Sequence, residues 1–197
     1  MPEFVADAIL KVDEFSLTSR GHLAGRPDQV LVCRDASAVA WWAGPMARYL
    51  LHREAQALRH CCGLPGIPEL VLEEPARLVR TWIEGRPMQV ARPADAGFYR
   101  DASRLLRSLR RCGLTHNDLA KPQNWIVTPD GKAALIDLQL ARRHRRRGWR
   151  LRVMAYEDLR HLMKHKRLFA PELVGARGRR LANQRSLTGR IWRAPGK

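Results

Sequence analysis

The stretch Thr115-His116-Asn117-Asp118-Leu119-Ala120-Lys121-Pro122-Gln123-Asn124 is followed, thirteen residues after Asn124, by Asp137 within Ala134-Leu135-Ile136-Asp137-Leu138-Gln139. These two pieces decide how the rest of the chain is read. Residues 125–128 (Trp-Ile-Val-Thr) have the composition of a strand, and Pro129-Asp-Gly-Lys132 that of a turn with glycine where φ is positive. Residues 133–138 then read as the returning strand. The hairpin predicts Asn124 just before its first strand and Asp137 at the end of its second, with the two side chains converging on one ion. Asp118 lies a few residues upstream, on the loop that leads in.

One carboxylate to accept a hydroxyl proton, with an Asn/Asp pair to hold Mg²⁺ on ATP, is what phosphoryl transfer requires. The competing reading is an Asp and an Asn that satisfy each other in a tight turn. His116-Asn117-Asp118-Leu119 with Asn124 resembles the catalytic loop of the protein-kinase superfamily, and Asp137-Leu138-Gln139 resembles its magnesium-binding DFG segment. Two departures stand out: Asp118 to Asn124 is one residue longer than the usual interval, and Gln139 replaces the glycine. A missing glycine there is more similar to RIO-type kinases and bacterial lipopolysaccharide-core (Kdo/heptose) kinases than to ordinary eukaryotic protein kinases.

The chain has 197 residues, enough for one domain or two small lobes around a cleft, and short for a full protein kinase. No run approaches eighteen apolar residues, and the N-terminus carries Glu3 and Asp7 without a basic-then-apolar signal, so neither a membrane span nor secretion is expected. Cys33, Cys61, Cys62 and Cys112 lack metal-ligand spacing and are expected to be small core residues of a reduced, cytoplasmic protein.

The net charge of +17 is unevenly placed. Residues 141–197 hold 18 Lys/Arg against 3 Asp/Glu, whereas residues 1–140 hold 18 against 16. Such a polycationic end describes a partner surface rather than a fold. The candidates are the anionic inner membrane face, lipopolysaccharide phosphates or RNA.

Residues 4–12 read equally as a short helix or strand, and residues 15–18 and 22–24 as weak strands around Ser19-Arg20-Gly21. The resemblance would put a glycine-rich phosphate loop here, but only Gly21 and Gly25 are available, so that lid is reduced or absent. Residues 29–35 read as a buried strand carrying Arg34 where the family has its ATP-gripping lysine. A helix is expected from Pro45, in its first turn, to about His60. Glu54 lies on its apolar face between Leu50, Leu51 and Ala57, Leu58, where a carboxylate needs a cation. Arg34, twenty residues upstream, is the inferred partner and also a phosphate ligand; the alternative is local pairing of Glu54 with Arg53 or Arg59. Arginine is a planar fork and not a neutral exchange for lysine.

Two further strands are expected over 69–74 and 76–83. The resemblance makes Trp82 and Ile83 the hinge whose backbone borders adenine, although Trp82 reads as well as a core aromatic. A helix over 94–112 buries Phe98, Leu105, Leu106, Leu109 and Cys112. It delivers the chain to His116, read as a brace, and to Lys121, read as a group that steadies the transferred phosphate. Arg142–Arg152 holds seven arginines in eleven residues and no Ser, Thr or Tyr, so phosphorylation of this loop is not expected. A helix is expected from about Ala155 to Phe169, then a basic stretch with Leu181, Leu187, Ile191 and Trp192 as a thin apolar stripe.

The resemblance therefore implies an α+β, minimal two-lobed protein-kinase-like fold, with a small antiparallel N-lobe sheet (about 1–83), a reduced helical C-lobe (about 84–170) and a basic tail (171–197). It implies ATP and Mg²⁺ as cofactors, Asp118 and Lys121 as catalytic residues and Asn124 and Asp137 as metal ligands. Arg34, Glu54, Trp82 and Ile83 would bind the nucleotide. Three functions follow: a RIO-like serine/threonine kinase, a kinase acting on a lipopolysaccharide core sugar at the inner membrane face, and a pseudokinase-like module that binds RNA or membrane.

Overall fold

In the computed structural model, which describes residues 3–184, the chain opens with three consecutive antiparallel strands: β1 (Phe4–Val12), β2 (Leu17–Leu23) and β3 (Arg26–Asp35). Residues 4–12, ambiguous in sequence, are a strand because β1 pairs along its length with β2, from Phe4 opposite Leu23 to Val12 opposite Leu17. The two weak strands expected around Gly21 are one. Gly21 sits inside β2 opposite Ala6 and Leu31, and a Cβ there would stand 1.9 Å from the Val5 carbonyl oxygen. The turn from β1 to β2 is made by Asp13, whose Oδ1 accepts the N–H groups of Phe15 (3.0 Å) and Ser16 (2.9 Å).

Helix α1 (Gly44–His60) has Pro45 in its first turn and buries Ala47, Leu51, Glu54, Ala55 and Leu58 along one stripe. β4 (Leu70–Glu74) and β5 (Arg77–Thr81) complete a five-stranded antiparallel sheet in the order β1-β2-β3-β5-β4. Leu23, Leu31, Cys33 and Val79 form its core, with Phe4, Val71 and Leu72 packed against them.

The second set of elements begins with β6 (Arg86–Pro87), α2 (Met88–Ala91) and α3 (Ala96–Arg111). Asp95 caps α3 by accepting the Phe98 N–H at 3.1 Å. β7 (Leu114–Thr115) precedes the loop and a 3₁₀ turn at Pro122–Asn124; β8 (Trp125–Val127) and β9 (Ala133–Leu135) are the expected hairpin, with Gly131 at φ 75°. The returning strand is shorter than expected. It ends at Leu135, and Asp137 lies past it in left-handed backbone, φ 63°, before a 3₁₀ turn at Leu138–Leu140. β10 (Arg142–Arg143) pairs with β7.

Helix α4 (Trp149–Phe169) starts six residues before the expected Ala155 and takes in the end of the arginine run. Residues 171–183, expected as part of a tail, form a 3₁₀ turn (Pro171–Leu173) and α5 (Ala176–Asn183). Leu181 is half-buried on α5, while Leu187, Ile191 and Trp192 lie outside the described residues.

The architecture is α+β. Two compact units divide it: the chain up to Glu84 together with Ile136–Ala141, and Gly85–Leu135 together with the chain from Arg142 onward. Among the described residues no helix is long and apolar enough to cross a membrane. No disulfide joins the cysteines. Cys33 and Cys61 are core residues as expected, and burial pushes the Cys33 thiol up to about 12. Cys62 is exposed and Cys112 half-buried, so the expectation fails for those two.

Candidate functional site

In the first unit β3 carries Arg34 and α1 carries Glu54, both buried, and their side chains meet at 2.6 Å. The same arginine Nη1 reaches Asp137 Oδ1 at 3.3 Å. Its Nη2 donates to Gln139 Oε1 at 3.0 Å and to Ser16 Oγ at 3.2 Å. One planar fork thus spans four acceptors from three parts of the chain, which a point-charge ammonium would not do. Burial works against the Arg34 charge, but Glu54 and Asp137 outweigh it and hold its pKa above the ordinary value.

Glu54 has a second cation. Arg80 lies opposite Val32 on β5, two residues along from Arg34 and on the same face of the sheet, with its Nε 3.4 Å from Glu54 Oε1. This contact is an ion pair without hydrogen-bond alignment. Burial pulls the Arg80 pKa down despite that carboxylate. Local pairing of Glu54 does not occur: Arg53 donates to the carbonyls of Leu140 (3.3 Å) and Ala141 (2.7 Å), and Arg59 pairs with Glu73.

Trp82 and Ile83 follow β5. Trp82 is half-buried rather than a core aromatic; its ring lies under the Arg20 guanidinium at 5.9 Å and its indole N–H donates to Glu84 at 2.8 Å. Its backbone N–H donates to Val30 at 3.2 Å.

In the second unit Asp118 is buried on the loop between β7 and the 3₁₀ turn. Lys121 Nζ reaches its Oδ2 at 2.8 Å, and Asn124 Nδ2 donates to the same oxygen at 3.1 Å and to the Asp118 carbonyl at 2.9 Å. Asn124 therefore turns its amide nitrogen to Asp118 and keeps its amide oxygen as an acceptor. Asn117 takes left-handed backbone, φ 67°, a conformation that asparagine tolerates. This turn directs consecutive N–H groups, from His116 (2.8 Å) and Asn117 (3.0 Å), onto the Asp158 carboxylate of α4. His116 is fully buried, and its Nδ1 accepts the Asp118 N–H at 3.4 Å, so it braces the loop. His165 Nε2 meets the Leu119 carbonyl at 2.8 Å, and burial lowers its pKa. The loop is thus held from α4 at two places.

The structure brings Arg34, Glu54 and Asp137 together in one unit and Asp118, Lys121 and Asn124 together in the other. Ser16, Arg80, Asp158 and His165 were not anticipated, nor was the hydrogen-bonding role of Gln139. Asp158 had a readable signal. It lies seven residues after Leu151 and four before Leu162, a carboxylate on the buried stripe of α4, which is the argument that singled out Glu54. Among the described residues no group of three or more His, Cys, Asp and Glu side chains is placed to hold a metal ion. A cavity of about 470 Å³ lined by Arg48, Tyr49, His52, Glu73, Glu74 and Pro75 shares no residue with either cluster.

No protein-family model matches the chain, and no curated protein matches it.

Proposed function

We propose that the chain is an ATP- and Mg²⁺-dependent phosphotransferase on a minimal two-lobed, protein-kinase-like framework, of the RIO-like serine/threonine type. The observation that carries this reading is the Asp118 loop, where a carboxylate meets a lysine and an asparagine within 3.1 Å on backbone pinned by a buried aspartate. A mere tight turn would not need that brace from a helix forty residues away.

The residues present suit Mg²⁺ on a nucleotide. Mg²⁺ takes hard oxygen donors and draws most of its shell from phosphates and water, so one or two protein oxygens suffice. Asn124, through its amide oxygen, and Asp137, through its carboxylate, would each offer one such oxygen. Bound Mg²⁺ and ATP supply the phosphoryl group and neutralise its charge. Asp118 orients the acceptor hydroxyl and takes its proton, and Lys121 steadies the phosphate being transferred. Arg34, fixed by Glu54, positions the ATP phosphates. The backbone at Trp82 and Ile83 borders adenine, without the Trp82 N–H that Val30 already holds.

A second reading, with a lipopolysaccharide core sugar as acceptor, is favoured by one observation: all seven arginines from Arg142 to Arg152 are exposed, which suits an acceptor on an anionic carrier. The rival of another class is a binding module that transfers nothing.

The test is transfer from labelled ATP with Mg²⁺ to the protein itself, to a generic protein substrate and to purified lipopolysaccharide core. Asp118→Ala and Asp137→Ala are run beside the parent. Transfer that falls at least about a hundredfold in both variants supports the proposal, and the acceptor labelled separates its two forms. An ATP–Mg²⁺ complex that labels none of the three would overturn it in favour of the binding module.

A further inference from the structure

The second unit gathers positive charge well beyond what its own carboxylates can pair. Its described residues, Gly85–Leu135 and those from Arg142 onward, hold 23 Lys/Arg against 7 Asp/Glu, whereas those of the first unit hold 9 against 12. Arg100, Arg104, Arg107 and Arg111 recur at intervals of four, three and four along α3, so they form one exposed stripe with an arginine at each turn. The acids at the start of α3 are occupied by backbone: Asp95 accepts the Phe98 N–H and Asp101 the Ala133 N–H. The stripe leads into the Arg142–Arg152 run. There β10 pairs with β7, the His144 backbone N–H donates to the Gly113 carbonyl at 2.8 Å, and Arg147 donates to the Arg111 carbonyl at 3.0 Å. Trp149 stands near the end of that run, 63% exposed, with the Arg150 guanidinium over its ring at 5.6 Å. Like charges held this close oppose the compact state until an external anion neutralises them.

We propose that this face, the α3 stripe with Arg142–Arg152, binds a single-stranded nucleic acid, the arginines gripping its phosphates and Trp149 stacking on a base. The basic groups of the face are arginines, whose planar fork pairs with two phosphate oxygens at once and whose plane also stacks on bases. An exposed indole is a platform for an unpaired base of any sequence, and a neighbouring guanidinium adds to that stack. A duplex keeps its bases paired and would leave the indole unused. A bilayer would require a stripe of apolar side chains to insert. From Arg100 to Arg152, Trp149 is the one large apolar side chain that this unit exposes among its described residues. The inference does not rest on phosphotransfer and is read without any assay of activity.

The experiment is fluorescence anisotropy of the full chain with labelled oligouridine and oligodeoxythymidine, beside an abasic strand of the same length. The parent should bind the single strands, more weakly as salt rises. Trp149→Ala should weaken them about tenfold and leave the abasic strand as it was, and Trp149→Phe should keep most of the affinity. Arg104→Gln combined with Arg107→Gln should weaken all three strands. It should also lower the slope of log affinity against log salt by about 1.4, at about 0.7 for each charge removed. Arg26→Gln, exposed on the first unit, is the control and should change nothing. All these side chains are exposed, so the circular dichroism and melting temperature of the variants should match the parent. A preference for oligouridine over oligodeoxythymidine supports the proposal with RNA as the ligand, and equal binding supports it for both. No binding of either single strand by the parent, a Trp149→Ala effect that is absent or equal on the abasic strand, or a salt slope unchanged in the arginine pair would each overturn it.

Discussion

Asp158, a helix residue, accepts the backbone N–H of His116 at 2.8 Å, and the N–H of the next residue, Asn117, at 3.0 Å. The loop that carries Asp118 is therefore anchored through its backbone, independently of the side chains that would do chemistry. Burial lifts the Asp158 pKa above the ordinary aspartate value, outweighing the proximity of His116 and the two N–H groups that favour its charge. Asp158→Ala removes this acceptor from the buried His116 N–H and the part-buried Asn117 N–H and should cost about 2–3 kcal/mol. Asp158→Asn keeps one carbonyl oxygen and should cost about half as much. Urea unfolding gives the magnitudes. Hydrogen exchange locates the effect: the His116 and Asn117 amides should lose protection in Asp158→Ala beyond the global change.

Arg34 is the cation shared by Glu54, Asp137, Gln139 and Ser16, and its replacement separates charge from shape. Arg34→Met leaves Glu54 buried with only the poorly aligned Arg80, and should destabilise the protein by about 3–5 kcal/mol. Arg34→Lys keeps the charge but loses the fork, and should cost about 1–2 kcal/mol. If the arginine serves only the fold, Arg34→Lys will change stability and leave nucleotide affinity as it was. Under the phosphotransferase reading, binding of ATP–Mg²⁺, measured by calorimetry, shifts as well.

What was legible in the sequence was local in origin. Glu54 betrayed itself by helical phase, and Pro129-Asp-Gly131 marked the hairpin turn. Asp118, Lys121 and Asn124 are close in the chain as well as in space. The other features depend on distant pairings. Gln139 and Ser16 reach Arg34 across 105 and 18 residues, and no local pattern announces that they share one guanidinium. The start of α4 was hidden for a different reason. Its first turn holds Arg150 and Arg152 and no acid or side-chain cap, against the usual preference of a helix N-terminus for negative charge, so the arginine run read as a loop. Gly21 was misread because an isolated glycine between short apolar pieces reads as a break until the partner strand is known.

That glycine yields its own prediction. Since a Cβ at position 21 would meet the Val5 carbonyl oxygen at 1.9 Å and the Phe4 ring at 2.8 Å, Gly21→Ala must push β1 away from β2. The cost should be about 2–3 kcal/mol. Gly148→Ala, where nothing lies within 4 Å of the added atom, is the control and should change stability little. Thermal melts of the two variants beside the parent decide the matter.

The last prediction concerns acid. Burial, helped by Arg160, pulls His161 down to about 4, and burial lowers His165 as well. In the unfolded chain both histidines protonate near 6.5. Below that pH the unfolded state takes up protons that the folded state refuses, so stability should be full above about pH 7 and fall as the pH drops toward 4. Asp158 works the other way at the acid end, because its raised pKa lets the folded state bind a proton first. Glu157 favours the His161 charge, whereas Arg160, Lys164 and His165 oppose it. Urea midpoints taken between pH 7.5 and 5 should therefore decline in the parent. His161→Gln, which does not titrate, should show a shallower decline; a slope identical to the parent's would assign the acid sensitivity to His165 and the remaining groups instead.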